Sequence, residues 1–166
     1  DAVAFAIKTP AGTIVHTGDF KIDCTPITGD MIDLSSFAQV GDEGVLALLA
    51  ESTNAERPGY TPTERLVSGS FDNLFRSAEK YRIIIATFAS NVNRVQQIID
   101  CAEKYGRKVA FSGRSMVNYM EVAKKLGYLH VPENILIDID MLDKYLPEEI
   151  VLVTTGSQGE PMSALS

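Results

Sequence analysis

The stretch RIIIATFASN, at residues 82–91, decides how the second half of the chain folds. Its three consecutive isoleucines are typical of a strand buried on both faces, and the small polar residues that follow mark the start of a helix over residues 91–105. The alternation continues with apolar strands at 108–111, 135–137 and 150–154, a helix at 115–126 and a helical turn at 141–145. This pattern predicts an α/β fold with a doubly wound, mostly parallel sheet.

The helix before this stretch has its own start signal. Thr61, Pro62 and Glu64 have the spacing of a capping box, with proline at the first helical position. We expect the helix to run to about residue 81. Its mostly apolar face would be formed by Leu66, Phe71, Leu74, Phe75 and Ala78.

The first half of the chain is predicted to consist mainly of strands and irregular segments. Residues 2–9 and 13–16 flank a short turn and predict a hairpin, and residues 45–50 (VLALLA) predict a further strand. The segment between them, residues 25–42, is rich in glycine, aspartate and serine, and we expect it to be irregular. The polar segment at 54–60 contains proline and glycine, so it predicts a boundary between domains at 1–56 and 57–166.

The composition is that of a globular protein. The chain has 166 residues, of which 45% are hydrophobic and 22% charged, and its net charge of −7 counts against a protein that coats DNA. Cys24 and Cys101 lack CxxC spacing, which predicts reduced thiols and a cytoplasmic location. No apolar run approaches the ~20 residues of a membrane span. The chain begins as if within a strand, so we expect it to be a piece of a longer protein.

Two acids follow apolar strands in the first half. Asp19 comes after residues 13–16 and Gly18, and Glu51 comes after residues 45–50. Either acid could be a structural strand end or part of an Asx turn. A buried carboxylate without a partner is costly, so two such acids together favour a functional role. His16 and His130 are predicted not to be ligands.

Small polar residues also follow the strands of the predicted parallel sheet. Ligands bind at the carboxyl ends of such strands, where hydroxyls, backbone N–H groups and helix dipoles meet and favour phosphate. The alternatives are that Ser90 and Asn91 only cap a helix and that Arg114 is a surface charge. Two glycines bracket Ser157 and Gln158 in TTGSQGEP, and this favours a ligand contact. Neither a Walker loop nor GxGxxG is present.

Five segments in order, HTGDFK, LLAEST, TFASNVNR, GRSM and TTGSQGEP, resemble the β-CASP branch of the metallo-β-lactamase superfamily, and above all the ribonuclease J family. The resemblance covers essentially the whole chain. It implies that Asp19 bridges two zinc ions and that Glu51 orients a histidine near the metals, so both would be catalytic. It further implies that RNA is bound by Phe88, Ala89, Ser90, Asn91, Arg114, Ser157, Gln158, Gly159 and Glu160.

The chain also departs from the family pattern. The His-x-His-x-Asp-His signature is absent, as are the other histidine motifs, so Asp19 is the only matched metal ligand. The resemblance therefore implies a partial metallo-β-lactamase domain followed by a partial β-CASP domain. We expect the piece alone neither to hold zinc tightly nor to cleave RNA.

The whole protein would be a zinc-dependent 5′-exo- or endoribonuclease of RNA processing and decay, cytoplasmic and homo-oligomeric. Two alternatives stay open. One is a module that binds RNA or nucleotide phosphate without its own catalysis, and the other is an unrelated flavodoxin-like domain for a small ligand.

Overall fold

The computed structural model describes residues 3–27 and 29–157. The chain forms two compact units, Asp1–Leu66 and Val67–Ser166. This division lies further along the chain than the boundary predicted after residue 56. The assignment of residues 1–56 and 57–166 to two family domains stays a prediction. No helix in the described ranges is long and apolar enough to cross a membrane.

The first unit is built on a three-stranded mixed sheet in the order β1-β2-β3. Strands β1 (Phe5–Thr9) and β2 (Gly12–His16) form the predicted hairpin, and β3 (Ala47–Leu49) pairs with β2 in parallel. The Thr9 hydroxyl closes the turn by accepting from the Ala11 N–H and donating to the Gly12 carbonyl. The hairpin and the strand within residues 45–50 are therefore confirmed.

The expectation of irregular structure over residues 25–42 is wrong for its second part. Helix α1 occupies Leu34–Glu43, and the Asp33 carboxylate caps it by accepting from the Ser36 N–H at 3.0 Å. Leu34, Phe37 and Val40 recur at helical spacing, but the glycine- and serine-rich composition around them concealed the pattern.

Helix α2 (Arg65–Ser77) starts later and ends earlier than predicted. The capping box at Thr61 does not start the helix. Instead, Thr63 Oγ1 accepts from the Arg65 N–H, and Asp23 Oδ2 accepts from the Glu64 N–H at 3.0 Å. The distant Asp23 thus binds the amide just before the helix, and Thr63 rather than Thr61 binds the first helical amide.

The apolar face of α2 is only partly buried. Phe71 and Phe75 lie in the core as predicted, whereas Leu66 is 63% exposed and Leu74 is also exposed. Beyond the helix, the buried Arg107 guanidinium donates to the Ala78 and Tyr81 carbonyls, so a side chain from another segment holds the connection to the next strand.

The second unit is the predicted α/β layer. Its elements are β4 (Ile83–Ala86), α3 (Val92–Lys104), β5 (Lys108–Phe111), α4 (Arg114–Lys125), two 3-10 helices (Ile139–Lys144 and Pro147–Glu149) and β6 (Ile150–Thr154). All three strands are parallel, in the order β4-β6-β5. The fold class is therefore confirmed. The strand expected at 135–137 is reduced to a single bridge between Val109 and Leu136.

One face of this parallel sheet carries the core. Ile83, Val151 and Val109 lie side by side in register, and the helices contribute the other buried apolar residues, including Phe71, Phe75, Val95, Ile98, Ile99, Ala102, Met116, Met120 and Ala123. The expectation that the first strand is buried on both faces is wrong at Ile84, which is 54% exposed. β4 is an edge strand of the described sheet, so its second face is less covered.

Candidate functional site

In the first unit, strand pairing brings Asp19 and Glu51 to the same edge of the sheet. β2 and β3 are parallel neighbours, with His16 opposite Leu49, so both strands end on one side. The pairing continues one step further, because the Thr17 N–H donates to the Leu49 carbonyl at 3.1 Å. We call residues 17–19 and 50–51 the acidic edge.

The two carboxylates of the acidic edge differ in their surroundings. Asp19 is exposed and makes no hydrogen bond or ion pair with any residue in the described ranges. Glu51 is half-buried, and its Oε2 accepts from the Thr53 N–H at 2.8 Å. Asp19 is thus open to an external ligand, whereas Glu51 is already held.

The turn that carries Asp19 is tightly restrained. Gly18 has a φ of +61°, and a Cβ at this position would lie 2.7 Å from the Val3 carbonyl oxygen. The Gly18 N–H donates to His16 Nδ1 at 3.0 Å, and the Gly18 carbonyl accepts from the Thr17 hydroxyl at 2.7 Å. Only glycine fits this backbone without strain, and its two polar groups are both bonded.

The acidic edge does not complete a metal site by itself. A zinc ion takes about four protein or water ligands. In the part of the chain that the structure describes, no three His, Cys, Asp or Glu side chains lie together in a suitable group. Asp19 fits one ligand position, and any further protein ligands would have to come from elsewhere.

In the second unit, the three parallel strands also end at one edge. The Thr87 N–H donates to the Thr154 carbonyl, and the Ser112 N–H donates to the Val153 carbonyl, each at 2.9 Å. The residues after β4, β5 and β6 therefore follow adjacent strands. We call residues 87–91, 112–114 and 155–157 the polar edge.

The predicted residues after β4 have separate environments. Phe88 and Ser90 are exposed, and Ala89 is buried. Asn91 caps α3, because its Oδ1 accepts from the Arg94 N–H at 3.1 Å. The capping role considered for Asn91 is therefore present, and a ligand contact by residues 88–91 stays a prediction.

The residues after β5 include exposed hydrogen-bond donors. Gly113, with a φ of +95°, precedes α4 and provides no side-chain cap. Arg114 is exposed and has no hydrogen bond or ion pair to a residue within 3–27 or 29–157. The first amides of α4 and the Arg114 guanidinium are the groups here that suit an anion.

The residues after β6 are described only in part. Ser157 is exposed, while Gln158, Gly159 and Glu160 lie outside the described residues. Their predicted contacts with RNA stay predictions.

Sequence reasoning missed two threonines at these edges. Thr87 is 2% exposed, and its hydroxyl finds no hydrogen-bond partner among the described residues. Thr17 is buried, and its Oγ1 accepts from the Glu51 N–H at 3.2 Å. A threonine that ends an apolar run is ordinary in a strand, so only its position directly after the last paired residue could have singled it out.

Comparison with known proteins identifies the family. The family described as "Ribonuclease J, beta-CASP domain" matches residues 80–166. The chain belongs to the ribonuclease J family. The predicted family is therefore confirmed, and the alternative of an unrelated flavodoxin-like domain is wrong.

Several ribonuclease J proteins are similar over the whole chain. Ribonuclease J of Mycobacterium tuberculosis is 54% identical over 166 residues, which are 100% of this chain and 30% of the relative. Ribonuclease J of Helicobacter pylori is 49% identical over 99% of this chain and 24% of the relative. Ribonuclease J2 of Bacillus subtilis is 45% identical, again over 100% and 30%. The chain thus spans less than a third of these relatives.

A solved structure of a protein of unknown function from Enterococcus faecalis V583 has a similar fold. Its TM-score is 0.57 at 17% sequence identity, over 93% of this chain and 38% of that one. This similarity concerns the fold alone.

Proposed function

We propose that this chain is part of a ribonuclease that hydrolyses phosphodiester bonds in RNA. In this proposal the acidic edge takes part in hydrolysis and the polar edge contacts the RNA backbone. The observation that carries it is the parallel pairing of β2 and β3, which brings Asp19 and Glu51 to one edge with the Asp19 carboxylate unpaired. It occurs in a chain about half identical to proteins named Ribonuclease J.

The role proposed for Asp19 is the one that the family resemblance implies, and the chemistry of the residue is compatible with it. An exposed carboxylate on a restrained turn presents oxygens in a defined direction, as a metal ligand requires. We assign Asp19 as one ligand of a metal centre, two zinc ions in the whole protein, whose remaining ligands lie outside the described residues of this chain. Glu51, whose carboxylate is held by the Thr53 N–H, would orient a neighbouring side chain rather than bind the metal.

The polar edge suits the sugar-phosphate backbone. Phosphate oxygens accept hydrogen bonds from backbone N–H groups at helix N-termini, from hydroxyls and from arginine. The uncapped start of α4, the exposed Ser90 hydroxyl and the Arg114 guanidinium are donors of these three kinds. The net charge of −7 makes such local donors necessary for binding a polyanion. Contacts by Phe88 and residues 157–160 belong to the same proposal.

The activity is tested in the full-length protein that contains this sequence. Asp19→Asn should lower the cleavage rate of a 5′-labelled single-stranded RNA by at least about 100-fold, a typical loss when one catalytic group is removed. Asp42→Asn is the matched control, because Asp42 is an exposed acid of the same unit whose side chain has no hydrogen bond or ion pair to a described residue. Normal turnover by a folded Asp19→Asn variant would refute the assignment. The same assay, with product lengths resolved, distinguishes 5′-exonuclease from endonuclease action.

A second candidate is an RNA- or nucleotide-phosphate-binding module without its own reaction. It is favoured by the donors of the polar edge, the first amides of α4 and the Arg114 guanidinium. Titration of the chain with single-stranded RNA or a nucleoside monophosphate should then shift the NMR amide signals of residues 88–91 and 113–115. Unchanged signals at those amides at millimolar ligand would count against it.

A further inference from the structure

Thr17 is a buried polar residue at the end of β2. It directly follows β2 and is only 9% exposed, and in the described part of the first unit it is the only buried polar side chain. A buried hydroxyl is normally retained where both of its hydrogen-bonding functions are used.

The Thr17 hydroxyl both accepts and donates a hydrogen bond, one to the backbone at Glu51 and the other to the backbone next to Asp19. As an acceptor it receives the Glu51 N–H at 3.2 Å. As a donor it binds the carbonyl of Gly18, the residue just before Asp19, at 2.7 Å. The Thr17 N–H also donates to the Leu49 carbonyl, so the whole residue joins the ends of β2 and β3.

These hydrogen bonds of Thr17 restrain the backbone segments that carry the two carboxylates. The Gly18 peptide is held by Thr17 at its carbonyl and by His16 at its N–H, and Asp19 follows directly. The Glu51 backbone is held by Thr17, and its carboxylate is held by Thr53. Among the contacts within residues 3–27 and 29–157, the Thr17 hydroxyl alone bonds to both backbone segments.

We propose that Thr17 is a positioning residue that fixes the spacing between Asp19 and Glu51. The inference rests on the proposed function, because the spacing matters only if both acids take part in catalysis. Misplacing a catalytic group by about 1 Å can cost 100-fold in rate. A residue that sets this spacing therefore affects the rate constant of the reaction more than the binding of RNA.

Three substitutions in the full-length protein separate this role from simple packing. Thr17→Val keeps the shape of the side chain but lacks the hydroxyl, so it can neither accept from Glu51 nor donate to Gly18. Thr17→Ser keeps the hydroxyl and loses one methyl group. Thr13→Val is the matched control, since Thr13 lies on β2, the strand that Thr17 follows, and its hydroxyl has no partner among described residues.

The assay is steady-state cleavage of a single-stranded RNA, with circular dichroism and thermal melting to verify folding. We expect Thr17→Val to lower kcat about 10- to 100-fold with KM within about twofold of wild type. Thr17→Ser should restore kcat to within about threefold, and Thr13→Val should leave it unchanged. If Thr17→Val does not fold, Thr17→Ala replaces it in the comparison with Thr17→Ser.

The outcomes separate failure of this inference from failure of the proposed function. A folded Thr17→Val variant with wild-type kcat overturns the inference, as does a Thr17→Ser variant that loses as much kcat as the variant without a hydroxyl. An equal loss in Thr13→Val would also overturn it. If Asp19→Asn is fully active, the proposed function itself fails. If Asp19→Asn is inactive while Thr17→Val is normal, only the positioning role fails.

Discussion

Replacing Gly18 with alanine should destabilise the turn that carries Asp19, and the structure sets the size of the effect. Gly18 has a φ of +61°, a region that costs an L-residue about 1–2 kcal/mol. The new Cβ would also lie 2.7 Å from the Val3 carbonyl oxygen. That oxygen belongs to the backbone, so no side-chain rotation can relieve the contact. We expect a total loss of about 2–3 kcal/mol in local stability.

Gly29 provides the matched control in the same unit. Its φ is +74°, but a Cβ there would meet nothing within 4 Å. Gly29→Ala therefore carries the conformational cost of about 1–2 kcal/mol without the collision. The difference between the two variants measures the contact with Val3.

Native-state hydrogen exchange is the assay, because amide protection reports local opening free energies. Amides of β2 and β3, such as those of Val15 and Leu48, should lose more protection in Gly18→Ala than in Gly29→Ala. In the full-length protein, only Gly18→Ala should also lower the rate of RNA cleavage, since it moves Asp19. Equal protection in both variants would refute the argument that close packing at Gly18 restrains the turn.

Two further predictions concern side chains that bind backbone groups next to α2, Asp23 and Arg107. The Glu64 N–H donates to the Asp23 carboxylate, and such hydrogen bonds lower the Asp23 pKa to about 2, below its ordinary value of 3.8. The ionised Asp23 therefore stabilises the folded state fully above pH 3.8, and this stabilisation is lost as the pH falls towards 2. Asp23→Asn should flatten the acid limb of a curve of unfolding free energy against pH. An unchanged acid limb would contradict this. Arg107 is 4% exposed, and Arg107→Met should lower the free energy of unfolding by about 1–3 kcal/mol because it leaves two carbonyls after α2 without their donor. The exposed Arg82→Met should change it by no more than about 0.5 kcal/mol, and equal denaturation midpoints for the two variants would count against the role of Arg107.

Local sequence patterns were sufficient for most of the second unit. The isoleucine run at 83–85 and the strands β5 and β6 lie where apolar continuity placed them. The capping residue of α3, Asn91, and its buried positions Val95, Ile98, Ile99 and Ala102 also follow the helical spacing. These features depend on neighbours within one or two turns, so a linear pattern contains the necessary information.

The failures have two physical origins. The Glu64 N–H just before α2 is bound by Asp23, some forty residues earlier, and no local motif contains that contact. Composition around α1 obscured a short amphipathic helix whose residues are not fully buried. The exposure of Ile84 follows from its place on an edge strand. For α2 and Ile84 the deciding neighbour, or its absence, is set by the folded arrangement rather than by adjacent residues, whereas α1 was missed because its composition hid a local pattern.

The sequence by itself determined which residue types stand after the strands: an acid behind a glycine at Asp19, an acid at Glu51, and small polar residues after β4 and β5. Only the tertiary structure decided that β2 and β3 pair in parallel, which brings the two acids to one edge, and that the Thr17 hydroxyl bonds to both backbones there. The physical reason is that strand pairing joins segments more than thirty residues apart through backbone groups, which every residue except proline carries in the same form.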